Sequence, residues 1–409
     1  MRVLYTIGVW LYSLGVRMAA LFGNAKAKLW VNGRKAEVLK AQGPDSSQWI
    51  WFHAASLGEF EQGRPVIEAL KQAHPEFKIL LSFFSPSGYE VRKNYALADK
   101  ILYLPSDTPR HAKAWVQRHR FVAAFFIKYE FWFNYMWALE QAGIPLFYIA
   151  LILKPSAYFF RWYGTWFRKQ LKTVDHFFVQ DEGTAKSLNK YGMNHVTVCG
   201  DTRFDRVAAI AEQAKPFPEV ERFISGRKCI IAGSTWPPDE RLWMTFVSRL
   251  PDDYCLIIAP HDISESHLTQ IKAMFPDSQC YTELDIKKHS KILIVNIIGI
   301  LSQLYQYARF VYIGGGFGVN IHNIQEPVTF GCPVIFGPKY TSFKEAVDLV
   351  ALKGAFAIRN AAELESVSLR LMGDEAFFTQ ASETCRRYLQ SQVGATKIIM
   401  QGFEKALFL

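Results

Sequence analysis

The chain has no C-x-x-C pair, and its six cysteines (Cys199, Cys229, Cys255, Cys280, Cys332, Cys385) fall singly, most of them in apolar, strand-like runs. That pattern argues against a redox motif or a disulfide framework and predicts reduced thiols in the core of a cytoplasmic protein. No Asp-x-Asp pair and no His/Cys ligand set stands out, so the expectation is chemistry without a metal or other cofactor. Short-period repeats and low-complexity tracts are also missing, which removes solenoids and disordered arrays. Acidic residues are the scarcer charge, 37 against 47 Lys and Arg. The resulting net charge of +10 suits an anionic partner: nucleic acid, a membrane surface or a phosphorylated substrate. No nucleic-acid motif accompanies it, so nucleic acid is set aside. What is plentiful is apolar: half of the 409 residues are hydrophobic, enough for two domains that each bury a core.

Long apolar runs are confined to one stretch, Val3 to Phe22, interrupted by Arg17 and a few hydroxyls. At about 1.5 Å rise per residue it is about long enough to cross a bilayer. Arg17 can snorkel, and Lys26, Lys28, Arg34 and Lys35 follow, so the positive-inside bias puts the folded part on the cytoplasmic face of an inner membrane. A signal peptide cleaved at Ala25-Lys26-Ala27, or a helix lying in the interface, would share this composition; the cysteine pattern argues against export. The composition leaves open whether residues 1–22 span the membrane or lie on it.

Beyond it, apolar runs alternate with helical patterns: Trp49 to His53, Ile79 to Phe84, Phe121 to Ile127, Pro145 to Leu151, His176 to Val179. After a polar, proline-containing segment, Ala211 to Pro218, the alternation restarts with Cys229 to Ala232, Tyr254 to Ala259, Lys291 to Ile294, Phe310 to Ile313 and Pro333 to Phe336. Runs apolar on both faces suit parallel sheets covered by helices. The expected organisation is an anchor helix over 1–30, α/β doubly wound domains over 31–210 and 211–385, and a closing helix over 386–409 that crosses the domain junction. Two such domains facing across a cleft would put strand ends and helix N-termini on both walls.

Gly314-Gly315-Gly316 closes the strand Phe310 to Ile313, and His322-Asn323 and Glu326-Pro327 follow at short range. The glycines let backbone N–H groups approach an anion, and Glu326, one helical turn past Asn323, can accept hydrogen bonds from ribose hydroxyls. A glycine triplet also fits a plain strand end; the combination with Asn323, Glu326 and Gly337-Pro338 points to a nucleotide-sugar pocket. Gly233-Ser234-Thr235 similarly ends a strand before a helix, where Ser234 suits either a phosphate or ordinary helix capping. In the first half, His53-Ala54-Ala55-Ser56-Leu57-Gly58-Glu59 makes a tight strand-to-helix turn with small residues at Ser56 and Gly58. Glu59 then reads as a helix-start acid favoured by the macrodipole, or as a general base ionised near neutrality.

These turns, with Ala259-Pro260-His261 and His322-Asn323-Ile324-Gln325-Glu326-Pro327, carry a resemblance. The chain resembles a Kdo transferase, the lipopolysaccharide enzyme that moves 3-deoxy-D-manno-octulosonic acid from CMP-Kdo to a lipid A precursor. The similarity covers nearly the whole chain, with the motifs in the family's order and spacing. It implies a GT-B glycosyltransferase architecture, with Glu59 as catalytic base. It further implies that Glu130, in Lys128-Tyr129-Glu130-Phe131-Trp132, and Arg203, in Gly200-Asp201-Thr202-Arg203-Phe204-Asp205, stabilise the transition state. The donor would meet Ser234, Thr235, Pro260, His261, Ile298, Gly299, Ile300, Asn323, Ile324, Gln325 and Glu326.

Four positions depart from the family pattern, Ile321 among them, which replaces the usual glycine before His322. His261 stands where the family has Arg, and carries less charge at neutral pH. Ile300 stands where it has Glu, so only backbone around Ile298 to Ile300 can serve cytosine. Arg203 replaces a usual Lys, keeping the charge and adding a planar fork. The reaction implied is an in-line displacement with inversion, in which Glu59 deprotonates the acceptor hydroxyl while CMP leaves. Another nucleotide-sugar transferase, an epimerase, or a silent membrane-tethered binder remain alternatives. Between Phe121 and Lys172 dense aromatics interleave with Arg and Lys, which suits a face dipping into the membrane interface, though core packing accounts for some of them.

Overall fold

The computed structural model describes residues 1–39 and 47–408. It divides into two compact units, one of Met1–Asp205 with Gly394–Leu409 and the other of Arg206–Val393. The first holds β1 (Trp49–Ala54), β2 (Lys78–Phe83), β3 (Lys100–Tyr103), β4 (Phe121–Ile127), β5 (Leu146–Leu151), β6 (His176–Val179) and β7 (Val196–Val198). They form one parallel sheet in the order β3-β2-β1-β4-β5-β6-β7. The second holds β8 (Lys228–Thr235), β9 (Tyr254–Pro260), β10 (Gln279–Cys280), β11 (Ile292–Ile294), β12 (Ala308–Ile313), β13 (Val334–Phe336) and β14 (Ala355–Ala357). Its sheet, also parallel, runs β10-β11-β9-β8-β12-β13-β14. Both sheets are doubly wound, and each reverses its winding once: between β1 and β4, and between β8 and β12. At such a reversal the loops leaving the two strands part to opposite sides and open a crevice at their C-terminal ends.

The period-2 alternation of a strand explains why the apolar runs are continuous. Trp51 and Phe126 enter the core on one face of the first sheet, while Phe52 and Phe125, ring-stacked at 4.7 Å, enter the other. Ala395, Ile399 and Phe403 of the last helix, Ala395–Phe408, complete that second face. In the second unit Ile230, Ile258 and Tyr312 play the same part. All six cysteines are buried and unpaired.

Three details differ from the reading of the sequence. The first helix stops at Leu21, not at residue 30: Gly23 takes φ +96, and a second helix, Ala25–Leu39, begins. The division between units falls inside the helix Thr202–Glu212, ahead of the expected linker Ala211 to Pro218, whose first residues are still helical. The C-terminal pattern from Glu383 onward is two helices, Glu375–Gln392 in the second unit and Ala395–Phe408 in the first, parted at Gly394 with φ +114. Asp205 fixes that break, accepting from the Gly394 N–H at 2.5 Å and from the Thr396 N–H and hydroxyl at 2.6 Å.

The N-terminal helix, Arg2–Leu21, is long and apolar enough to cross a membrane, yet it is docked along the first unit. Arg2 donates to Asn134 at 2.8 Å and lies over the Trp137 ring, the Tyr5 hydroxyl donates to Asp107 at 2.5 Å, and Ser13 meets Ser106 at 3.1 Å. Its other side leaves Val3, Leu4, Ile7, Trp10, Leu11 and Leu14 exposed. The aromatic band after Phe121 is mostly structural: Phe133, Tyr135 and Phe159 are buried and Trp132, Trp137 and Trp166 pack against the core. Its outward part narrows to Tyr129, Tyr158, Trp162 and Tyr163, with Trp162 at 90% exposure.

Candidate active site

β1 ends at Ala54, and the small residues after it let the chain turn into the helix Leu57–Ala73 within two residues. Ser56 is the residue before that helix, extended at φ −141, and Gly58 is exposed; a Cβ there would meet nothing within 4 Å. Glu59, in the first turn, accepts the Ala55 N–H at 2.6 Å. The helix-start role is therefore real, but it does not leave an ordinary carboxylate. Burial, and then the nearby charge of Glu130, push Glu59 up to about 7, against the lowering by backbone N–H groups and Lys128. The expectation of a carboxylate fully ionised near neutrality is corrected accordingly: Glu59 is poised to take or give a proton there.

β4, across the winding reversal from β1, ends at Ile127. Lys128 then turns with φ +66, a conformation uncommon outside glycine, and Glu130 follows in the same loop. Glu130 is buried, and one of its oxygens accepts from the Trp132 indole N–H at 2.7 Å and from His53 Nε2 at 3.0 Å. His53 is wholly buried; its Nδ1 lies 2.8 Å from the Ser82 hydroxyl, which accepts the Trp51 indole N–H at 2.7 Å. His53 Nε2 also lies 2.9 Å from the Trp132 indole nitrogen and Nδ1 3.1 Å from the Ser82 carbonyl oxygen, so which ring nitrogen donates depends on the tautomer. Glu130 is thus held between the Trp132 indole N–H and His53 Nε2. Neither His53, Ser82 nor Trp132 had a role assigned from the sequence, although His53 opens the quoted turn; the contacts come from three separate chain segments.

β7 leads to Asp201 and Arg203 at the start of the helix Thr202–Glu212. Asp201 accepts from Arg203 Nε at 2.8 Å and Nη2 at 2.6 Å. Lys128 feels Arg203, Asp201 and Glu59, and burial followed by Arg203 lowers its pKa. The structure therefore brings Glu59, Glu130 and Arg203 to one end of one sheet, with Lys128 among them. No group of three or more His, Cys, Asp or Glu is arranged to hold a metal among the described residues.

The second unit gathers its named residues at the matching end of its own sheet. Gly314 packs so closely on β8 that a Cβ would collide with the Ser234 carbonyl oxygen and come within 2.7 Å of Thr235 Cα. Gly316 lies equally close to Gly337, its would-be Cβ 2.7 Å from the Gly337 Cα. Ser234 is not the helix cap: it sits at φ +53, Trp236 occupies the cap position, and Asp239 accepts the Trp236 N–H at 2.9 Å. Asp239 also accepts the Gly315 N–H at 2.9 Å and the Tyr312 hydroxyl at 2.7 Å, tying the glycine turn to the helix start. Thr235 is buried, its hydroxyl on Glu240, and Pro260 ends β9 in the core. His261 packs on both the Trp236 and His322 rings, with centroids at 4.6 Å and 4.5 Å, and Trp236 Nε1 donates to His322 Nε2 at 3.0 Å.

Asn323 donates to Glu326 at 3.2 Å and accepts the Gln325 N–H at 2.9 Å; burial raises Glu326 above the usual carboxylate range. Ile324 and Gln325 do not present side chains: both are buried, and Gln325 bonds Glu345 at 3.1 Å. Any ligand contact there runs through backbone or through Asn323 and Glu326. Ile298 is 82% exposed, Gly299 takes φ +98, and Ile300 precedes a short helix, Leu301–Leu304.

Residues 25–206 match the family described as 3-deoxy-D-manno-octulosonic-acid transferase (kdotransferase). A 3-deoxy-D-manno-octulosonic acid transferase of Aquifex aeolicus is 26% identical over 77% of this chain and 83% of its own length. The transferase of Bordetella pertussis is 24% identical over 87% and 86%. Over most of its length the chain is thus similar to Kdo transferases, and over residues 25–206 to the family so described. Its fold is also that of UDP-GlcNAc 2-epimerase from Neisseria meningitidis, with a TM-score of 0.63, 14% identity, and coverage of 88% of this chain and 100% of that one. At that identity the likeness concerns architecture, GT-B, and no more. Within the family match, the stretch 25–206 contains Glu59, Lys128, Glu130 and Arg203.

Proposed function

We propose that this protein transfers Kdo from CMP-Kdo to a lipid A precursor with inversion at the anomeric carbon. The observation that carries the reading is Glu59: a carboxylate pushed up to about 7, at the winding reversal of the first sheet and beside Glu130, Lys128 and Arg203. A general base works best when its pKa lies near the operating pH, and burial with a like-charged neighbour is how a glutamate reaches that range. The relatives' name supplies the sugar.

In the proposed step Glu59 takes the proton of the acceptor hydroxyl and the hydroxyl oxygen bonds to the anomeric carbon. The bond from that carbon to the phosphate oxygen breaks, and its electron pair leaves with CMP. Glu130, which accepts the Trp132 indole N–H, offers its carboxylate to the oxocarbenium character of the transition state. Lys128 and Arg203 supply cationic charge for phosphate. On the second unit, the ends of β8 and β12, His261, Asn323 and Glu326 take the donor, the last two through ribose and the glycine turn through backbone. The N-terminal helix, docked by Arg2, Tyr5 and Ser13 with its outer side apolar, lies in the interface of the membrane's cytoplasmic face, where the acceptor resides.

Mass spectrometry of a lipid A precursor incubated with the protein and freshly generated CMP-Kdo tests the reading. A precursor heavier by one or more Kdo residues is expected. An unchanged precursor with intact donor overturns it.

A further inference from the structure

Resting on that reading, we propose that a cavity under the N-terminal helix receives an acyl chain of the acceptor lipid. The cavity measures about 700 Å³, the scale of a ligand site and far above the voids of a close-packed core. Gly8, Val9, Tyr12, Trp30, Phe84 and Phe167 are among the residues that line it. Its polar members are turned onto one another or onto the backbone: Ser13 meets Ser106 at 3.1 Å, and Asp107 accepts the Tyr5 hydroxyl at 2.5 Å and the Asn134 and Tyr135 N–H groups at 3.1 and 3.0 Å. What faces the space is therefore mostly hydrocarbon and ring, which suits a chain without polar groups better than a sugar or a phosphate.

Two further observations name the source of the chain. The helix that roofs the cavity exposes Val3, Leu4, Ile7 and Leu11 on its outer side, so an acyl chain leaving a membrane meets apolar surface on the way in. At the other side the wall is Trp132, stacked on Phe84 at 4.7 Å, and the same indole donates to Glu130. One side chain thus separates the cavity from the buried carboxylate cluster. A lipid held here by its tail is kept within one side chain of that cluster, an arrangement useful to an acceptor and without use for a bulk phospholipid.

Gly8 offers a clean test, because a Cβ there meets nothing within 4 Å and a larger side chain grows into the cavity; Gly15 is equally open but does not line it. Full-length wild type, Gly8→Trp and Gly15→Trp are titrated with dansyl-labelled undecanoic acid, which is then displaced with lipid A precursors of decreasing acyl length. The probe is expected to bind wild type and Gly15→Trp alike and Gly8→Trp at least tenfold more weakly. Each methylene removed from the precursor should weaken displacement about fourfold in wild type, the ordinary gain for burying one, and little in Gly8→Trp. Equal probe binding in all three proteins overturns the proposal, as does displacement by phosphatidylcholine vesicles but not by the precursor. Displacement by the precursor without sugar transfer supports the acyl site and overturns the transferase reading alone.

Discussion

The two units share a winding pattern and use it in opposite ways. At the end of the first sheet the chain delivers ionisable side chains: Glu59 feels Glu130 and Lys128, Lys128 feels Arg203 and Asp201, and Arg203 is paired with Asp201. At the end of the second it delivers backbone and rings: glycines too crowded for a Cβ, a stack of Trp236, His261 and His322, and one carboxamide–carboxylate pair. Low dielectric makes charges in the first cluster shift one another's protonation, which is what proton transfer requires. Open backbone and aromatic faces hold a nucleotide without changing its charge state, which is what donor binding requires. On the proposed function, one topology yields a reacting end and a holding end, according to which residue types follow the strands.

The sharpest way to break this contrast is Glu59→Gln. Transfer should fall by roughly two to four orders of magnitude while calorimetric CMP binding stays unchanged; undiminished transfer would end the base assignment. Next comes pH. Glu59 holds its proton more tightly folded than in its ordinary state at 4.5, so the stability it contributes is complete below that value and is lost as the pH climbs through about 7. Catalysis needs the other form, so kcat/KM should rise about tenfold per unit up to about 7 and then level off. Trp132→Phe keeps the ring and removes the donor to Glu130; roughly a tenfold loss in kcat is expected, the size of one hydrogen bond to a charge, with the stack on Phe84 retained. Smallest in effect is the second unit's departure: His261→Arg should tighten CMP-Kdo binding only a few-fold, in proportion to low salt, and leave the pH profile in place. A shifted profile in that variant would erase the division between the two ends.

Legibility followed burial. The central strands of both sheets were readable because residues such as Ile50 to Phe52 and Ile230 to Ala232 are apolar on both faces. The strands that escaped notice, β3, β7, β10 and β14, are the four sheet edges: short, as in Gln279–Cys280, and mixed in character, as in Lys100–Tyr103. An edge strand has a partner on one side only and so carries a weaker apolar signal. Among candidate residues, Glu59 and the pair Asn323 and Glu326 were legible because local spacing announces them. Ile324 and Gln325 were named beside them, but their side chains point inward, since a run of six residues reveals no direction. The clamp on Glu130 was out of reach, because Ser82, His53 and Trp132 lie on separate elements and no spacing relates them.

The order of residues alone settled the class of fold, the glycine turns and the identity of the acid in the first turn after β1, because these depend on side-chain size, hydrophobic period and local hydrogen bonding. Tertiary structure alone decided that burial pushes Glu59 up to about 7, that Lys128 feels both Glu59 and Arg203, and that an apolar space opens under the first helix. Protonation and cavity volume depend on which distant segments are brought within a few ångströms, and electrostatic and packing energies change over that distance.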